Sequence, residues 1–283
     1  MHGRQKVLFG ALAVTFVLAA SALVAGATDR SSTPGLGASA SQVTAAETCP
    51  AVEAKPNQTT EIATAKLIIE FNSTDDDIGV HGAFDDHGWK ALCVFDPNGR
   101  LVLQVNPRSQ LKDLTMAGIF FESREPPSSE FSFADLQRTF PEGDYTVRAR
   151  TFDGKILVGA ATFTHDVPAP PVIIAPALAD DPSNTGQNPV PMQDLTIAWE
   201  DVTQTVAGGP VDITGYEVIV TKEEHDDPHG FSRPIYDVHV APSLNSLRLP
   251  VEFLEPDTVY EIEVLALETS GNQTITVGFF RTA

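Results

Sequence analysis

The stretch Leu254-Glu255-Pro256-Asp257-Thr258-Val259-Tyr260-Glu261-Ile262-Glu263-Val264-Leu265-Ala266-Leu267 decides how this chain folds. A Pro-Asp turn leads into a run where Tyr260, Ile262, Val264 and Ala266 fall on one face and Glu261 and Glu263 point to the other. That period of two is the mark of a β-strand. Ser270-Gly271-Asn272 then turns the chain into a last strand, 274–280. Upstream, Leu195, Ile197 and Trp199 alternate in one segment, Tyr216, Val218 and Val220 in another, and Leu247 with Leu249 in a third.

The same rhythm begins at residue 66. Segments 66–71, 78–84, 89–95, 101–105 and 115–121 read as strands, separated by turn residues. Asp96-Pro97-Asn98-Gly99 supplies a tight turn. Tyr145-Phe152 and Lys155-Thr164 form a hairpin across Asp153-Gly154. Ser132-Phe133-Ala134-Asp135 has the spacing of a capping box, which predicts one or two helical turns over 132–140. Phe140-Pro141-Glu142-Gly143-Asp144-Tyr145 has the form of the corner at which immunoglobulin-like sandwiches cross between sheets. The expected fold class is therefore all-β, with two tandem β-sandwich, immunoglobulin-like domains over 65–166 and 167–283. The first domain lacks the cysteine pair and tryptophan spacing of antibody domains. Asp166-Val167-Pro168-Ala169-Pro170-Pro171 predicts a short, stiff joint between the two.

In the second domain the residues resemble a known family. Trp199 in the second strand, Tyr216 in the third, the corner Leu254, Pro256, Thr258 and Tyr260, and the final Ser270-Gly271-Asn272 turn are together similar to fibronectin type III domains, over residues 168–283. The resemblance implies seven strands in two sheets. It implies structural roles for Trp199, Tyr216, Leu254, Pro256 and Tyr260, with the Tyr260 hydroxyl bonded to nearby backbone. The chain contains no Arg-Gly-Asp tripeptide, so integrin-type adhesion does not carry over.

The N-terminus reads as a secretory leader. Arg4 and Lys6 precede an apolar run over 7–24 that ends in Ala25-Gly26-Ala27, which predicts a signal peptide at 1–27. If uncleaved, the run would be a membrane anchor. Residues 28–64 are rich in Ala, Ser, Thr, Gly and Pro and read as a disordered tether. The expected location is secreted or periplasmic, where Cys49 and Cys93 are free to pair. The net charge of −20 argues against nucleic acid as a partner, since nucleic acid needs a basic surface.

No Gly-x-Ser-x-Gly, His-Glu-x-x-His, Cys-x-x-Cys or phosphate-binding glycine loop occurs in the chain. The reading is of a protein that is not an enzyme and carries no cofactor, an interaction or spacer module whose partner is a protein or a polysaccharide. Two alternatives rest on particular residues. Trp89, Phe84 and Phe95 lie near one another in sequence and are candidates for a sugar-binding platform, although core burial accounts for them better. Asp75 and Asp77 before one strand, and Asp85 and Asp86 after it, are candidate calcium ligands, although a strand of seven residues would hold them roughly 20 Å apart. A second acidic loop, with His225 and His229, is a weaker candidate for a transition metal. The sequons at Asn57, Asn72 and Asn272 matter only in a glycosylating host.

Overall fold

The computed structural model describes residues 49–50, 58–224 and 235–283. The expected signal peptide, most of the expected tether, and the loop with His225 and His229 lie outside the described residues. Fourteen strands and two short helices follow in chain order: β1 Thr59–Glu61, β2 Thr64–Asn72, β3 Asp77–Phe95, β4 Leu101–Val105, α1 Ser109–Leu114, β5 Met116–Glu122, α2 Phe133–Thr139, β6 Gly143–Thr151, β7 Ile156–Phe163, β8 Ile173–Ala175, β9 Thr196–Trp199, β10 Ile213–Lys222, β11 Ile235–Val240, β12 Ser246–Arg248, β13 Val259–Glu268 and β14 Gln273–Arg281.

The first sandwich turns on β3. The strands expected at 78–84 and 89–95 are one continuous strand of 19 residues. Its first half pairs with β2 on one side and β5 on the other. Its second half pairs with β4 and β6, and β6 pairs with β7. Register shifts between Asp85 and Trp89 and between Trp89 and Ala91 mark the point where it changes sheets. A bulge lets one strand bend from one sheet into the facing one. Gly88 sits there with φ +146, a conformation that side-chain-bearing residues rarely adopt. Asp85-Asp86-His87 is therefore not a loop after a strand, as its polarity suggested, but the bend inside one.

The core between these layers holds Leu67, Ile69, Val80, Phe84, Trp89, Val94, Tyr145, Val147, Leu157 and Phe163. Leu136 of α2 seals its edge. Ser132 caps α2, with its hydroxyl and the Asp135 carboxylate exchanging bonds with each other's backbone N–H. Helix α1, which nothing in the alternation predicted, has no buried residue.

The first sandwich takes in residues earlier in the chain than expected. Residues 59–61 pair in parallel with Ile156, Leu157 and Val158, and Ile62 is buried in the first core. Residues 59–62 of the expected tether thus belong to the first sandwich. Ile62 is the one large apolar residue of 58–64, and the strand it packs against is distant in sequence.

The second sandwich has the seven strands that the resemblance implied. β12, β9 and β8 form one sheet; β14, β13, β10 and β11 form the other. Ile197, Trp199, Tyr216, Val218, Val220, Tyr260, Ile262, Val264 and Phe280 fill the space between them.

The two sandwiches are not beads on a stiff string. Glu70, Phe71 and Asn72 of β2 pair in parallel with Gln273, Thr274 and Ile275 of β14. One sheet therefore runs β5-β3-β2-β14-β13-β10-β11 from the first sandwich into the second. The proline-rich joint is packed rather than free: Val167 is buried in the first core, and Pro168 bridges to Thr205.

Candidate functional site

The residues expected to be structural are placed as follows. Trp199 and Tyr216 meet at 5.3 Å between ring centroids, and both are buried. The Tyr216 hydroxyl accepts from the Val202 amide at 2.8 Å. The Tyr260 hydroxyl accepts from the Glu255 amide at 2.8 Å, so the corner is tied to its own turn. Leu254 is buried and Pro256 lies exposed in that turn. In the first sandwich the Tyr145 hydroxyl donates to the Pro141 carbonyl at 3.1 Å, a second corner of the same kind. Cys49 and Cys93 are joined by a disulfide that ties the chain ahead of the first sandwich to β3.

The calcium candidates are not brought together. Asp77 pairs with Asn72 at one end of the β2–β3 ladder and Asp85 with Thr64 at the other. Eight residues of strand hold them roughly 26 Å apart. Their oxygens are also in use: Asp75 accepts from the Asn72 side chain, and Asp86 accepts from the Ala63 and His87 amides. The sugar platform fails on burial. Trp89 and Phe84 are 0 % exposed, and the Trp89 indole N–H donates to the Ala117 carbonyl at 3.0 Å. Phe95 is half-buried beneath the Arg148 guanidinium, 4.9 Å from its ring centroid. Asn272 is 0 % exposed and so offers no site for a glycan.

Three groups of residues have polar geometry that the sequence did not reveal. The first is the seam between the sandwiches. Asn272 Oδ1 accepts from the Ile69 amide at 2.8 Å. Its Nδ2 donates to the Thr164 carbonyl at 3.1 Å and to Thr164 Oγ1 at 3.0 Å. Thr274 Oγ1 donates to the Pro168 carbonyl at 2.6 Å, and the Ser73 amide and hydroxyl both donate to the Ile275 carbonyl. One buried amide thus serves β2, the end of β7 and the joint.

The second group lies beside the seam, on the face of the sheet away from the core. His81 Nε2 is 2.8 Å from Glu125 Oε1, and its Nδ1 is 3.6 Å from Glu70 Oε2. Gln273 of β14 donates to Glu70 across the seam. Burial pushes the Glu70 carboxyl upward, against the pull of His81 and Gln273. Asp77 rises to about 6, through burial first and then the charges of Glu125 and Asp75. Burial alone would lower the His81 imidazole, but its hydrogen bond to Glu125 and the charge of Glu70 outweigh it, so the net direction is up.

The third group lies on β10 and β11. Glu217 stands directly opposite His239, and Asp237 is two residues from His239 on the same face. His239 Nε2 is 3.3 Å from Glu217 Oε1. Glu217 is 2 % exposed, and Oε1 has no hydrogen-bond partner among the described residues. Burial pushes its carboxyl up to about 8, helped by the charge of Asp237 and a hydrogen bond with it, and by Glu263 on β13. Glu263 was expected to face outward. It does point away from the core, yet it is buried. The apolar residues of the same outer face, Ile219, Leu265 and Ile275, are buried as well and belong to neither core.

No family model matches the chain. No curated protein matches it either. Among solved structures, the FN1–FN3 domains of chicken CNTN1 are similar at 11 % identity and a TM-score of 0.32. That similarity covers 80 % of this chain, and the chain spans 65 % of the CNTN1 structure. A two-domain fibronectin type III segment of chicken tenascin is similar at 10 % identity and a TM-score of 0.27, over 77 % of this chain and 99 % of that one. The geometry above defines the class of the molecule by itself: an all-β protein of two sandwiches that share a sheet.

Proposed function

We propose that this is an exported, non-catalytic interaction or structural protein whose two sandwiches meet their partner as one rigid body. The observation that carries the reading is the parallel β2–β14 pairing, locked by the buried Asn272. Two domains that merely share a linker reorient freely by default. Here the connection consists of backbone ladder bonds and a saturated side-chain amide. Such a construction fixes the distance and angle between surfaces, as a spacer or a two-surface binder requires.

Export is supported by the basic, apolar and Ala-x-Ala start of the chain and by the pairing of both cysteines, since disulfides persist in oxidising compartments. Among the described residues, no helix is long and apolar enough to cross a membrane. The acidic charge favours a protein or neutral polysaccharide partner over nucleic acid.

The test is to incubate the tagged protein with envelope and culture fractions of its source and identify what is retained after cross-linking. The reading expects a specific protein or surface to be retained by the wild type, and to be retained less well when Asn272→Ala loosens the seam. Retention of nothing in any fraction, or equal retention by both forms, counts against it.

A further inference from the structure

The β10–β11 ladder places a nitrogen and two carboxyl groups on one face of two adjacent strands. Glu217 pairs with His239, and Ile219 pairs with Asp237. On an antiparallel ladder, directly opposed side chains project to the same side, and the next residue but one returns to that side. The ligand atoms of Glu217, Asp237 and His239 all lie within 4.8 Å of one another. That is near enough for the three to close on one ion by side-chain rotation, since donors around a zinc lie about 3–4 Å apart.

Charge and hydrogen bonding point the same way. A buried carboxylate oxygen normally has a partner, and one without a partner costs free energy. Glu217 Oε1 is such an atom: the side chain is 2 % exposed, and the oxygen faces His239 Nε2 at 3.3 Å without a hydrogen bond. The groups acting most strongly on Glu217 are Asp237, Glu263 and Glu70, all of them acidic. The one basic group paired with Glu217 among the described residues is His239 itself. Asp237 and His239 are exposed, which leaves an approach from solvent. The cluster around His81 differs in this respect. Its imidazole is already held between Glu125 and Glu70, and Glu70 also takes a bond from Gln273.

We propose that Glu217, Asp237 and His239 form a binding site for a divalent transition-metal ion, with zinc as the best match. One imidazole nitrogen and two carboxylate oxygens make a donor set that zinc accepts in tetrahedral geometry, with a fourth position open to water. Calcium, which takes six to eight oxygens, does not match a set containing imidazole. The ion would be held by Glu217 Oε1 and by His239 and Asp237, and so fasten the edge strand β11 to β10. Metal ligands bind in their unprotonated forms, so affinity rises with pH.

The test is calorimetric titration of zinc into the metal-stripped full chain at pH 8 and pH 6. Cobalt absorption provides a second reading of the donor set. The expected result is one saturable equivalent per chain, weaker at pH 6. His239→Ala and Glu217→Gln should each weaken binding at least tenfold. His239 is half exposed on an edge strand, so an unchanged metal-free melting temperature verifies that His239→Ala folds. The double variant His225→Ala, His229→Ala should bind like the wild type. In the unmutated protein, the His239 imidazole nitrogen resonances should shift on adding zinc. Absence of saturable binding, binding unaffected by His239→Ala and Glu217→Gln, or unmoved His239 resonances would overturn the proposal.

Discussion

The amide of Ile69 donates to the side-chain oxygen of Asn272 across 203 residues of sequence, at 2.8 Å and in the interior of the protein. Ile69 belongs to the core of the first sandwich, and Asn272 caps the start of the last strand of the second. This bond is one of several that join the first sandwich to the last strand of the second.

Replacing Asn272 by Ala leaves its partners, the buried Ile69 amide and the Thr164 carbonyl, without their bonds to it. A buried donor or acceptor left unsatisfied costs about 1–3 kcal/mol, so the total loss should be on the order of 2–4 kcal/mol. Chemical denaturation followed by tryptophan fluorescence measures it. The wild type should unfold in one transition reported equally by Trp89 and Trp199. An Asn272→Ala protein as stable as the wild type would show that the seam carries no energy.

The disulfide closes a loop of 44 residues in sequence separation. In the chain-entropy treatment, a loop of that length is worth about 4 kcal/mol through its effect on the unfolded state. The Cys49→Ser, Cys93→Ser protein should therefore lose a comparable amount and melt at a lower temperature. Reducing agent should have the same effect on the wild type and none on the double variant.

Glu217 gives the stability a pH dependence of defined sign. Its carboxyl titrates at about 8 when folded and near 4.5 when unfolded. Below the unfolded value both states hold the proton. Between about 4.5 and 8 the unfolded chain releases it and the folded one keeps it, so this group's contribution falls as pH rises. Asp77, raised to about 6 from 3.8, acts in the same direction over a lower window. Metal-free wild type should be less stable at pH 8 than at pH 5, by on the order of a few kcal/mol. Glu217→Gln should remove most of that slope. Urea midpoints at the two pH values decide it.

The two tyrosine corners can be compared directly. Tyr145→Phe removes the bond to the Pro141 carbonyl, and Tyr260→Phe removes the bond from the Glu255 amide. Each ring stays packed, so each change should cost about 1–2 kcal/mol. Effects of that size that add in the double variant would show the corners acting independently, as their distance in the fold requires.

Much of this fold was legible in the sequence, for local reasons. Alternation at Tyr216-Val218-Val220 and Tyr260-Ile262-Val264 identified strands, and the capping box at Ser132 identified a helix start. What failed were features decided by distant partners. Asp85-Asp86-His87 looks like a loop because its polarity is local, whereas its role as a bend depends on strands β5 and β6. The seam pairs residues from opposite ends of the chain and leaves no nearby mark. One clue was present: Val218-Ile219-Val220 and Val264-Leu265-Ala266 are continuous apolar runs, as expected of strands buried on both faces. The Glu217 cluster was hidden because acidic residues are abundant here. Only the register across β10 and β11 separates Glu217 from the rest.

Cys93 lies in the half of β3 that has β4 on one side and β6 on the other, and its sulfur holds Cys49. Tension applied to the chain ahead of Cys49 therefore bypasses β1, β2 and the first half of β3. It enters the fold at an interior strand gripped from both flanks. An edge strand can be unzipped one bond at a time, but this attachment is held by a ladder on each flank, so a pull there works against both at once.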